Sequence, residues 1–134
     1  MTAQDALSTT LVTGLHHASV LVLDLERSLA FYCGVLGLTI DENRPDLGYP
    51  GAWLNLGDNQ IHLIRLPSPD ALTGRPSRVG HDRHVALKTV DIDQIQTALD
   101  AAGIPYARSS SRRRALFCRD PDGNGLEFID QKRS

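Results

Sequence analysis

Residues 17–24 read His-Ala-Ser-Val-Leu-Val-Leu-Asp, and 67 positions further on residues 84–91 read His-Val-Ala-Leu-Lys-Thr-Val-Asp. Each stretch is a histidine, six mostly apolar residues and an aspartate, a pattern that suits a short buried strand ending at a helix N-cap. A helical stripe follows both aspartates. Leu25, Leu29, Tyr32 and Leu36 lie on one face after Asp24, and Ile92, Ile95, Leu99 and Ala102 lie on one face after Asp91. Both stripes run into a glycine, Gly37 and Gly103, suited to a helix C-cap, and Asp91 with Gln94 has the form of a capping box.

Working outward, each stripe is followed by three strand-like runs. The spacing predicts strands near 38–43, 51–56 and 60–66 in the first half, and near 104–108, 113–119 and 124–130 in the second. Gly57-Asp58-Asn59 and Asp120-Pro121-Asp122-Gly123 are the turns before the last strand of each half, the second with proline and glycine where a tight turn takes them. The chain is therefore an α+β protein of two tandem βαβββ modules. Module 1 spans 13–66, a proline- and glycine-rich linker spans 67–80, and module 2 spans 81–130. Residues 1–12 and 131–134 are expected to be tails.

Composition narrows the classes of function. The 134 residues are 41% apolar and 22% charged, ordinary for one globular domain. Fourteen lysines and arginines against sixteen aspartates and glutamates give a net charge of −2, which offers no basic field for nucleic acid or an acidic membrane. No apolar run is long enough for a membrane span, and Met1–Thr10 lacks the form of a signal peptide. Cys33 and Cys118 fit neither a disulfide framework nor a zinc finger. A cytoplasmic location is expected.

The ligand-type residues fall on the repeat. His17 and His84 open the first strands of the two halves, and His62 and Glu127 lie in their last strands. If the halves pack with pseudo-twofold symmetry, these four positions face one axis. Three imidazoles and a carboxylate are a credible shell for a divalent transition metal. A lone histidine in an apolar strand is more often a satisfied core residue, but four ligand-type residues at symmetry-related places favour one site. His62 could instead support the shell or contact substrate. Glu127 sits between Leu126 and Phe128, so strand alternation turns it to the opposite face from both. His16 and His81 have no symmetry partner and read as bystanders.

Taken together, these segments carry a resemblance. Gly14-Leu15-His16-His17, Val22-Leu23-Asp24-Leu25 with Ser28 and Phe31-Tyr32, Val35-Leu36-Gly37-Leu38, Arg83-His84-Val85-Ala86, and Asp120-Pro121-Asp122-Gly123-Asn124-Gly125-Leu126-Glu127 resemble the vicinal oxygen chelate superfamily of glyoxalases, bleomycin-resistance proteins and extradiol dioxygenases. The resemblance covers roughly 13–130. It implies paired modules forming a cupped mixed sheet around a divalent metal, in a homodimer. It implies that His17, His84 and Glu127 are metal ligands, with His62 at a fourth position that is glutamate in many glyoxalase I proteins. Zinc, nickel, manganese, cobalt and iron all suit this set, and a thiol such as glutathione is a second cofactor that the resemblance admits.

The chemistry follows from the ligands. A metal with open positions can hold two neighbouring oxygens of a small substrate and stabilise an enediolate. Glu127, the one carboxylate in the set, is then the candidate general base. Glyoxalase-like lyase or isomerase chemistry leads. The rivals are an extradiol dioxygenase, which a fourth ligand at His62 disfavours, a thiol transferase resembling the fosfomycin-resistance enzymes, and a ligand-sequestering protein resembling the bleomycin-resistance proteins. Tyr49 and Trp53 are candidates to line a substrate pocket, though Trp53 could equally be core. Arg112 and Arg114 share a strand face and could capture a carboxylate or phosphate of the substrate or thiol, or simply be a solvated hairpin.

Overall fold

The computed structural model describes residues 10–109 and 114–131. Two four-stranded mixed sheets carry the fold. The first runs β1 (His17–Leu21), β2 (Thr39–Ile40), β3 (Gly51–Leu56) and β4 (Asn59–Ile64), in spatial order β1-β4-β3-β2. The second runs β5 (His84–Thr89), β6 (Tyr106–Arg108), β7 (Ala115–Arg119) and β8 (Gly125–Asp130), in order β5-β8-β7-β6. In both, the first and last strands pair in parallel and the remaining pairs are antiparallel. This is the tandem βαβββ arrangement expected from the repeat.

The helices begin where the two aspartates stand. Asp24 accepts the amide of Arg27 at 3.1 Å and opens α1 (Leu25–Leu29), and Asp91 accepts the amide of Asp93 at 2.9 Å and opens α2 (Ile92–Ala102). α2 ends at Gly103, whose φ of +68° is the left-handed C-cap conformation. α1 departs from the uniform helix of its stripe. From Ala30 to Val35 it widens into a π-helical segment, with the Leu36 amide bonded to the Phe31 carbonyl at 3.0 Å.

Strand alternation sorts the two faces of each sheet. Ala52, Leu54, Ile61 and Leu63 of the first sheet and Leu87, Leu116, Cys118, Leu126 and Phe128 of the second are buried in one core with Phe31, Tyr32 and Leu99 from the helices. Their neighbours in sequence, among them Trp53, His62, Phe117 and Glu127, point to the opposite faces. The faces that carry the ligand-type residues are therefore the ones turned away from the core.

Hydrogen bonds from the turn Asp120–Asn124 tie module 2 to module 1. Asp120 accepts the Tyr32 hydroxyl at 2.7 Å. Asp122 takes the Leu23 amide at 2.9 Å, Arg27 at 3.2 Å and the Ser28 hydroxyl at 3.4 Å, and the Asn124 side-chain amide donates to the Leu21 carbonyl at 3.0 Å. The segment between the modules is also anchored. Arg119 donates to the Pro76 carbonyl at 2.7 Å and pairs with Asp82 at 2.9 Å, and Arg75 pairs with the same Asp82 at 2.9 Å. Among the described residues, no helix is long and apolar enough to cross a membrane. Cys33 and Cys118 are both free, and burial pushes the Cys118 thiol up to about 12, so it stays protonated and unreactive.

Candidate metal centre

The strand registers place the ligands equivalently in the two modules. Ser19 pairs with His62 and Ala86 pairs with Glu127, so in each module the histidine of the first strand sits two residues before the partner of the last-strand ligand. Residues two apart in a strand share a face. His17 and His62 are thus brought together on the first sheet, their rings stacked with centroids 3.9 Å apart. His84 and Glu127 are brought together on the second, with Nε2 3.0 Å from Oε1.

The expected convergence of all four within one chain is not found. The pairs belong to two separate sheets, and among the described residues no group of three or more histidine, cysteine, aspartate or glutamate side chains is placed to hold a metal ion. The physical reason is the packing just described: the shared core joins the backs of the sheets and the helices, and leaves the two ligand faces outward.

The module 2 pair has the chemistry of a half-built metal site. His84 Nδ1 lies 2.9 Å from the Asp82 carbonyl. A carbonyl only accepts, so Nδ1 carries the hydrogen and Nε2 of a neutral ring presents a lone pair. That lone pair faces a carboxylate oxygen of Glu127, whose residue is 4% exposed. Two acceptors at 3.0 Å need a cation between them, either a proton on the ring or a metal ion. Fixing one ring nitrogen on a backbone carbonyl so that the other faces outward is the usual support for a metal-binding histidine. Gly125 permits the approach: a Cβ there would stand 2.9 Å from the Arg83 carbonyl and 3.0 Å from His84 Cβ. Phe117, opposite Glu127 across β7–β8, lies edge-on to the His84 ring at 6.2 Å and adds an apolar wall.

The module 1 pair is equally constrained. Gln60 donates to Asp41 at 2.8 Å and to Asn55 at 3.3 Å, which turns its oxygen toward His62 Nε2 at 2.8 Å. His62 Nε2 is therefore the protonated nitrogen and Nδ1 the one with a lone pair. Burial, then the neighbouring His17, His16 and Arg44, push His62 below the usual imidazole range, so its ring is neutral at neutral pH, as a ligand must be. Trp53 stacks on the other side of His62 at 4.6 Å. His17 and His62 line a cavity of about 250 Å³ together with Ser19, Arg44, Tyr49 and Trp53. A larger cavity of about 870 Å³ is bounded by Gly80, Phe117 and Arg119, and none of the four ligand-type residues lines it.

The remaining candidates separate clearly. Tyr49 and Trp53 both line the smaller cavity. Arg114 is engaged elsewhere. It pairs with Asp130 at 3.0 Å and Asp93 at 3.6 Å, linking β7 to β8 and α2, and it lines neither cavity. Arg112 lies outside the described residues. His16, read as a bystander, instead touches His17, with the two Nδ1 atoms 2.8 Å apart, and His81 lines the larger cavity. Sequence reasoning missed Arg44. Its only signal was an arginine within the acidic run Asp41-Glu42-Asn43-Arg44-Pro45-Asp46.

Comparison with known proteins identifies the family and the fold. Residues 14–128 match the family model described as the Glyoxalase/Bleomycin resistance protein/Dioxygenase superfamily. The chain is similar to Glyoxylase I 4 of Arabidopsis thaliana, 32% identical over 133 residues, covering 95% of this chain and 76% of that protein. It is also similar to the glutathione transferase FosA of Serratia marcescens, 25% identical over 119 residues, covering 88% and 81% of the two chains. In fold it resembles a variant of the fosfomycin resistance protein FosX of Listeria monocytogenes, solved with Mn(II) and 1S,2S-dihydroxypropylphosphonic acid, with a TM-score of 0.72 at 17% identity, covering 91% of this chain and 95% of that one. The chain belongs to the glyoxalase, bleomycin-resistance and dioxygenase superfamily.

Proposed function

We propose that this protein is a divalent-metal-dependent enzyme of the glyoxalase type, acting as a lyase or isomerase on a small oxygenated substrate. The metal would be held by His17 and His62 of one copy of the chain and by His84 and Glu127 of a second copy in a homodimer. The observation that carries this reading is the His84–Glu127 pair, in which one ring nitrogen is engaged by the Asp82 carbonyl and the other lies 3.0 Å from a buried carboxylate. A catalytic metal site takes at least three protein donors, and each module presents two. Joining one pair from each copy gives three nitrogens and an oxygen. Exposed Leu11, Val12 and Leu15 beside β1 add apolar surface for such a contact.

When bound, the metal would act as a Lewis acid toward two neighbouring oxygens of the substrate. Glu127 then takes a proton from the substrate carbon beside the carbonyl and returns it to the adjacent carbon or to the same one. Its burial against Phe117 keeps bulk water away from the carbanion-like species. His84 is held in its orientation by the Asp82 carbonyl, and Trp53 and Tyr49 wall the cavity on the His17–His62 side. A thiol such as glutathione fits this reading as a co-substrate.

The test is elemental analysis of protein purified without added metal, followed by proton exchange at the substrate carbon in deuterated water for 2-hydroxycarbonyls, hemithioacetals and thioesters. Metal near one ion per chain, and exchange that falls about 10²–10⁴-fold in Glu127→Gln, support the reading. Metal-loaded protein that binds these compounds yet exchanges no proton identifies a sequestering protein instead.

A further inference from the structure

We infer that Arg44 is the anchor for an oxyanionic group, a carboxylate or phosphonate, on the substrate that enters the His17–His62 cavity. This rests on the proposed substrate site but concerns a part of it that no metal ligand supplies.

Arg44 lines that cavity of about 250 Å³. One of its terminal nitrogens donates to the Tyr49 carbonyl at 2.9 Å, and its guanidinium lies over the Tyr49 ring at 5.3 Å. Those contacts fix the plane of the group. Its Nε is buried and has no hydrogen-bond partner, although buried donors are normally satisfied. Among the described residues, the Arg44 side chain bonds to the Tyr49 carbonyl, lies over the Tyr49 ring and forms no ion pair with a carboxylate. The other buried or half-buried arginines differ. Arg75, Arg114 and Arg119 are each paired to an aspartate.

The backbone is shaped to keep the guanidinium there. A Cβ on Gly51 would stand 2.9 Å from the Arg44 terminal nitrogen and 2.3 Å from the Leu63 carbonyl, so glycine makes room for both. A permanent cation lying over an aromatic ring at the wall of a cavity, without a carboxylate partner among the described residues, suits the charge of a carboxylate or phosphonate. The cavity volume suits a small acid of a few heavy atoms rather than a large conjugate. His17 and His62, which line the same cavity, would take the neighbouring oxygens of such a molecule toward the metal half-site.

Trp53, the one tryptophan of the chain, lines the same cavity and is a built-in fluorescent reporter. The experiment titrates the full-length protein, metal-free in chelator and at fixed ionic strength, with lactate, propylphosphonate and the neutral lactamide. The expected result is a saturable change in Trp53 emission with the anions and at least about tenfold weaker response to lactamide. Arg44→Met should weaken anion binding by at least about tenfold. Arg44→Lys, which keeps the charge without the fork, should weaken it by several-fold and carries the test should Arg44→Met not fold. The tighter of lactate and propylphosphonate identifies the oxyanion. Equal response to lactamide and lactate, or anion affinity unchanged in Arg44→Lys and Arg44→Met, overturns the inference. Because metal is absent, failure here leaves the metal-dependent reading standing, and a protein that never binds metal leaves the Arg44 result intact.

Discussion

Replacing Asp120 by alanine should destabilise the protein by about 3 kcal/mol, because one carboxylate joins the two modules. Asp120 is 5% exposed and accepts four hydrogen bonds: the amides of Asp122 and Asn124 at 2.8 and 2.9 Å, the Asn124 side chain at 2.9 Å and the Tyr32 hydroxyl at 2.7 Å. Tyr32 is fully buried, so its hydroxyl would be left without water or partner, at a cost of about 1–3 kcal/mol. The turn amides lie nearer solvent and each add less. Tyr32→Phe should cost only about 1 kcal/mol, since it removes donor and bond together. The double variant should then be no less stable than Asp120→Ala alone, a coupling of about 1 kcal/mol. Urea unfolding at one protomer concentration reads these differences as midpoint shifts at constant slope. Additive single effects, or an Asp120→Ala cost within about 0.5 kcal/mol of zero, would refute the idea that this turn fastens module 1 to module 2.

Other perturbations test separate features. Arg119, with the Arg83 amide and Arg75, holds Asp82 down at about 2, against an unfolded value near 4. A depressed carboxyl stabilises the fold above its unfolded value, so this contribution should be lost as pH falls from about 4 to about 2, and acid titration of Asp82→Asn should lack that component. Gly51→Ala should destabilise the β3–β4 pair by about 2–4 kcal/mol, measured by thermal melting, because its Cβ would meet the Leu63 carbonyl at 2.3 Å. His84→Ala should remove most bound metal, read by elemental analysis, whereas His62→Ala should reduce affinity less if three donors remain.

Much of this was legible in the sequence because the repeat states it twice. His17 and His84, with Asp24 and Asp91 as N-caps, mark where strands and helices begin, and β3 shows the period-two burial of a half-buried strand, whereas in β4 and β8 the ligand-face residues His62 and Glu127 are buried as well. The placing of His17 and His84 two residues before the strand partners of His62 and Glu127 comes from the strand registers and not from the spacing in sequence, which differs between the two halves. What could not be read was which face each pair would see. Alternation says that Glu127 opposes Leu126 and Phe128, and nothing in one chain says whether the opposing face meets the other module or another molecule. The contacts of Asp120 and Asp122 with Tyr32, Ser28, Arg27 and Leu23 span 88 to 99 positions and follow from packing alone. The π-helical widening at Ala30–Val35 leaves the apolar stripe intact, so periodicity cannot reveal it. Arg44 acquires its place from Gly51 and the Tyr49 backbone, and Arg114 is paired with Asp130 and Asp93, contacts that its place in the sequence does not announce.

The claim most open to direct attack is that a metal site is shared between copies of the chain. One variant carries His17→Ala with His62→Ala, and a second carries His84→Ala with Glu127→Ala. Each alone should bind little metal, since every site in its homodimer lacks one pair. Unfolding the two together and refolding the mixture creates heterodimers in which one site has lost both pairs and the other has both intact. The sharing model predicts that mixing restores metal to about a quarter of an ion per chain when subunits exchange at random. Metal content that stays at the level of the separate variants after proven subunit exchange would contradict it.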